Sequence, residues 1–144
     1  MSDRLTLKIN GMTFYFELRK ACEKIGKEIL EAIKKYRNSV KYALITAFGS
    51  TPKEFTVIVK RSSKPAYGWI RACCRTIVLN ATQFEALKNA VEKLTKEDML
   101  PTHLFLETVY EKWMSVFLHE LAHWLTPDEE EADYLANEWL LSSA

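Results

Sequence analysis

The chain has 144 residues, 48% hydrophobic and 27% charged, with a formal net charge of +1. That apolar mass is enough for a core of its own, so a single domain over residues 1–144 is expected. A near-neutral balance calls for neither a nucleic-acid nor a membrane partner, no apolar run reaches the roughly 18 residues of a membrane span, and three cysteines make no disulfide framework.

Met1-Ser2-Asp3-Arg4 leads straight into strand-like sequence with no apolar signal core, and the expected location is cytoplasmic. Residues 5–9 and 12–16 flank Asn10-Gly11, a pair suited to a two-residue hairpin turn. Cys22, Ile25, Ile29, Ala32, Ile33 and Tyr36 recur at steps of three and four, which predicts an amphipathic helix near 18–37. Residues 40–48 and 55–60 read as strands divided by Gly49-Ser50-Thr51-Pro52. A loop at 62–65 leads to a third strand-like stretch, 69–80. Thr82-Gln83-Phe84-Glu85 has the form of a capping box, and Phe84, Leu87, Val91 and Leu94 share the face of the helix that follows. Pro101 opens the next helix at its first turn, and its core stripe is Leu106, Val109, Trp113, Phe117, Leu121 and Trp124.

Beside that stripe stands His119-Glu120-Leu121-Ala122-His123, an H-E-x-x-H pentad. A step of four is about one helical turn, so both imidazoles leave one face and can hold a single metal ion. Glu120 points off that line and is placed as the general base for a metal-activated water, the arrangement of a zinc hydrolase. The helix is expected to stop at Leu125, because Pro127 disfavours helical geometry at Thr126. A last helix then starts with Thr126 as N-cap, Pro127 at its first position and Glu129 closing a capping box. Its apolar residues Ala132, Leu135, Ala136, Trp139 and Leu140 dock it back on the body as a helical hairpin.

Catalytic zinc wants a third protein ligand. His103, the remaining histidine, would lie sixteen residues or about 24 Å along the helix from His119, too far to share an ion. The candidates are Asp128, Glu129, Glu130, Glu131 and Asp133, in a segment with seven carboxylates and no Lys or Arg after Lys112. Glu129, Ala132, Asp133 and Ala136 share one face, which selects Glu129 as ligand and Asp133 as the acceptor that orients a ligand histidine. Glu130 is the alternative ligand, and helix capping is the competing role for Glu129.

These residues resemble the active site of the zincin metallopeptidases, specifically the gluzincin branch. Glu129-Glu130-Glu131-Ala132-Asp133-Tyr134-Leu135-Ala136 is similar to the E-x-x-A-[ND]-x-[FL]-A segment of the ImmA/IrrE-like metallopeptidases. The five-residue gap between His123 and Glu129 resembles that of metzincin-type and SprT-like sites. The resemblance implies a small α+β zincin-like domain: a mixed or antiparallel sheet of four or five strands, an active-site helix and a C-terminal helical hairpin. It also implies Zn2+ on His119, His123 and Glu129, with Asp133 in support.

The function expected is a zinc-dependent peptidase acting on a peptide or protein, with Glu120 as general base. Tyr134 and Tyr110 are candidate transition-state donors, and Cys73 or Cys74 a candidate blocking thiolate, though both cysteines read more readily as buried strand residues. An exposed strand edge within 76–80 would align an extended substrate. The second reading is a nucleic-acid-associated or regulatory binding module. It rests on six basic residues between Lys53 and Arg75, interleaved with Tyr67 and Trp69.

Overall fold

Asn10 and Gly11 both take left-handed backbone, with φ of 52° and 79°. This is the two-residue turn whose twist matches paired strands. It joins β1 (Asp3–Ile9) to β2 (Met12–Leu18) in register Ile9 with Met12. The computed structural model describes residues 3–97 and 104–142. After β2 come α1 (Glu23–Lys35), α2 (Arg37–Phe48), β3 (Glu54–Lys60), β4 (Gly68–Arg71), a 3-10 turn (Ala72–Cys74) and β5 (Thr76–Asn80). Among the described residues three helices follow: α3 (Ala81–Lys96), α4 (Phe105–Ala122) and α5 (Glu129–Ser142). Pro101 and His103 lie outside the described residues.

The fold is α+β with a mixed sheet of five strands in the order β1-β2-β3-β5-β4. β2, β3 and β5 run parallel, and β1 and β4 are antiparallel to their neighbours. Phe14, Phe16, Phe55, Val57, Ile77 and Leu79 alternate inward from the sheet and pack on the helices. Among the described residues no helix is long and apolar enough to cross a membrane.

Four expectations are corrected. Residues 40–48 are not a strand; they lie in α2. Their β-forming residues suggested alternation, but Val40, Ala43 and Leu44, spaced three and four apart, are the buried set. They dock α2 among the helices, where Ser39 Oγ donates to the Leu140 carbonyl at 3.5 Å. Residues 69–80 are not one strand but a hairpin, β4 and β5, broken by the 3-10 turn and by Arg75 at φ 47°. β5 is therefore central and buried along its whole length, and the sheet edge belongs to β4.

The third correction concerns the start of α3. The cap is Asn80, whose Oδ1 accepts from Thr82 N at 3.2 Å. Asn is at least as good a cap as Thr and stands two residues earlier, at the strand end. Glu85, freed from capping, pairs with Arg61 at 2.7 Å. The fourth concerns the α4–α5 corner. α4 ends at Ala122, short of Leu125, and α5 begins at Glu129 rather than Pro127. Thr126 Oγ1 accepts from Asp128 N at 3.2 Å, but Asp128 lies before the first helical residue. Asp128 caps instead, its Oδ2 accepting from Glu131 N at 3.0 Å. Glu129 falls at the first helical position with no capping duty.

α4 is the central helix. Val109, Trp113, Phe117 and Leu121 are buried as the periodicity required, and Met114, Leu118 and Ala122 widen the buried arc. The Trp113 indole nitrogen donates to the Phe84 carbonyl at 3.3 Å, fastening α4 to α3. Ala132, Ala136 and Trp139 bury the matching face of α5 against this helix.

Candidate metal centre

The last turn of α4 carries His119, and the residue that caps it is His123; the two ring centroids lie 4.6 Å apart with planes at 85°. Their Nε2 atoms are 3.0 Å apart. Glu129 reaches over from α5, with Oε2 2.8 Å from His119 Nε2 and Oε1 3.3 Å from His123 Nε2. Among the described residues these three form a group whose ligand atoms all lie within 4.8 Å of one another.

The far side of each ring is already engaged. His119 Nδ1 donates to Asp133 Oδ1 at 2.6 Å, and His123 Nδ1 donates to the Thr126 carbonyl. The acceptor at each Nδ1 is an oxygen, so Nδ1 is the donor there and Nε2 is the nitrogen each ring presents to the cluster. Two Nε2 atoms and a carboxylate then converge on one point, the donor set of a divalent cation. Tetrahedral zinc with Zn–N of 2.0–2.1 Å would separate its ligand atoms by about 3.3 Å. The separations of 2.8, 3.0 and 3.3 Å suit that ion with small adjustment.

Glu120, between the two histidines in sequence, is only 6% exposed. Burial pushes its carboxyl above the ordinary carboxylate range; the charges of His119 and His123 pull it back, and Glu129 adds to the rise. Behind it lies Gly68 of β4, where an added Cβ would stand 2.7 Å from the Val78 carbonyl and 3.5 Å from Glu120 Cγ. The tight contact is with the paired strand β5, while the distance to Glu120 on α4 is ordinary van der Waals contact.

A groove of about 870 Å³ runs between β4 and α4. Tyr67, Gly68, Trp69 and Ile70 form one wall, and Lys112, Ser115, Val116, His119, Glu120 and His123 form the other, with Glu129 and Asp133 at one end. Lys112 and Ser115 were not among the residues singled out from the sequence. They stand seven and four positions before His119, a helical spacing that carried the signal.

The remaining candidates fall elsewhere. Tyr134 is 68% exposed outside the groove. Tyr110 packs on Trp113 at 5.9 Å and also stays out of it. Glu130 takes no part in the cluster, and Glu131 holds the corner by accepting from Thr126 Oγ1 at 3.1 Å. Cys73 and Cys74 are exposed on the β4–β5 turn rather than buried in a strand, and neither lines the groove. Much of the basic stretch is engaged within the fold. Arg61 binds Glu85, Arg75 Nε donates to the Glu54 carbonyl at 2.9 Å, and Lys64 lies 4.5 Å over the Trp69 ring. No protein-family model matches the chain, and neither a curated protein nor a solved structure matches it.

Proposed function

We propose that the protein is a zinc-dependent peptidase of the zincin type. The observation that carries this reading is the convergence of His119 Nε2, His123 Nε2 and Glu129 beside a buried carboxylate, Glu120, in a groove bounded by a sheet edge. Zinc held by those three residues would supply Lewis acidity to a substrate carbonyl and to a water.

The chain's own residues account for the remaining tasks. Asp133 and the Thr126 carbonyl hold each imidazole in the tautomer that presents Nε2. Glu120 takes a proton from the water on a carboxylate oxygen and returns it to the leaving amine. Its burial raises its basicity and keeps bulk water from competing for it. β4 offers unpaired backbone groups along the groove, and an extended peptide can add there as a further strand.

The test is metal content and cleavage of an unfolded protein substrate by the parent, Glu120→Gln and His123→Ala. The reading expects stoichiometric zinc in the parent and in Glu120→Gln, zinc lost from His123→Ala, and cleavage by the parent alone. Zinc without cleavage by the parent would point to a regulatory binding module. Absence of metal from unchelated protein would overturn the reading altogether.

A further inference from the structure

The β4–β5 turn carries Cys73 and Cys74 side by side, both exposed, with sulfur atoms 3.5 Å apart. Cysteine is among the most buried residue types, and Cys22 follows that habit here. Two adjacent thiols on a solvent-facing turn do not.

We infer that Cys73 and Cys74 form a reversible dithiol that closes to a vicinal disulfide by exchange with a low-molecular-weight disulfide such as oxidised glutathione. The surroundings assign the order of attack. Thr76 Oγ1 lies 3.3 Å from the Cys74 carbonyl and 3.4 Å from Cys74 Sγ, within donating distance of both, and Arg71 adds positive charge nearby. Together with Cys73 they favour the Cys74 thiolate, the attacking form. Cys73 keeps its proton longer, because it shares it with Cys74.

Cys74 thiolate attacks one sulfur of the small disulfide, that S–S bond breaks, and a thiolate leaves. Cys73 gives its proton to solvent and attacks Cys74 Sγ. The mixed disulfide breaks and the second small thiolate leaves. The two cysteines are oxidised by two electrons and the small disulfide is reduced to two thiols. Adjacent residues place their Cα atoms about 3.8 Å apart, short of the usual disulfide range of about 4.4–6.8 Å. The closed ring is therefore strained and readily reduced again. It would form in the turn that joins the groove's edge strand to the sheet. Neither thiol lines the groove, so the dithiol is chemically independent of the metal centre.

The experiment treats the intact protein with oxidised glutathione and reads free thiols, intact mass and non-reducing electrophoresis, beside Cys73→Ser. The expected parent loses two of its three thiols, gains no glutathione mass and stays monomeric on the gel. Cys73→Ser, lacking the resolving thiol, should retain one glutathione on Cys74. Stable glutathione on either cysteine of the parent, a disulfide-linked dimer, or three surviving thiols would each overturn the proposal.

Discussion

Asp133 Oδ1 sits 2.6 Å from His119 Nδ1, so one turn of α5 fixes the tautomer of a ring carried by α4. Asp133→Ala removes that acceptor without touching the inward-facing nitrogen. Zinc affinity should fall by about 10- to 100-fold, the usual loss for such an outer partner. Competition with a chromogenic chelator measures it. Asp133→Asn keeps an acceptor oxygen and should lose less.

Glu129 and Glu130 are adjacent but unlike in position. Glu129→Ala should weaken zinc binding by more than the roughly 100-fold ceiling expected for Asp133. Glu130→Ala should leave affinity unchanged in the same titration, since its side chain is outside the ligand cluster.

Gly68→Ala tests the seating of β4 against β5 beside the groove. Its methyl would lie 2.7 Å from the Val78 carbonyl, and backbone on that side cannot move aside cheaply. Overpacking of this kind costs about 1–3 kcal/mol. The denaturant midpoint should drop with little change in slope. Cleavage should fall further than the folded fraction does.

Asn80 is fully buried, and its side chain is hydrogen-bonded on every side. Oδ1 accepts from Ser62 N and Thr82 N, while Nδ2 donates to the Lys64 and Ala66 carbonyls. Asn80→Ala strands these groups and frees the loop that leads into β4. A loss of at least about 2 kcal/mol in chemical denaturation is expected. Hydrogen exchange should rise first at 62–67.

Arg61 beside Glu85 holds that carboxyl below its ordinary 4.5, chiefly through their hydrogen bond. A depressed folded pKa means stability that is present above 4.5 and is lost as pH falls through the lower folded value. The parent should therefore lose stability below pH 4.5 more steeply than Glu85→Gln does. Denaturation midpoints across that window read the difference. Both side chains are partly exposed, so salt should shrink it.

The candidate site was legible because its spacing is helical and local. His119 to His123 and Glu129 to Asp133 are each one turn, and both turns form where periodicity placed helices. The exact start of α5 was not legible. It depends on Asp128 rather than Thr126 taking the cap, a choice between two good capping residues two positions apart that propensity does not make. The strand reading of 40–48 failed for a related reason, since burial against α4 and α5 outweighed the β preference of its residues. Arg75 in left-handed backbone, which divides 69–80, gave no warning because arginine seldom takes that conformation. The groove's second wall was therefore assigned to β5 instead of β4.

Every atom of the ligand cluster comes from the α4–α5 corner, between His119 and Asp133. The opposite wall, β4, arrives from much earlier in the chain and needs the sheet to be assembled. Closing the short corner costs little loop entropy, whereas placing β4 requires distant pairings. A chain that has formed only the corner already holds all its ligands together. Under the proposed function, ion capture can thus precede the existence of a cleft, and a variant that never seats its edge strand is expected to carry metal without cleaving substrate.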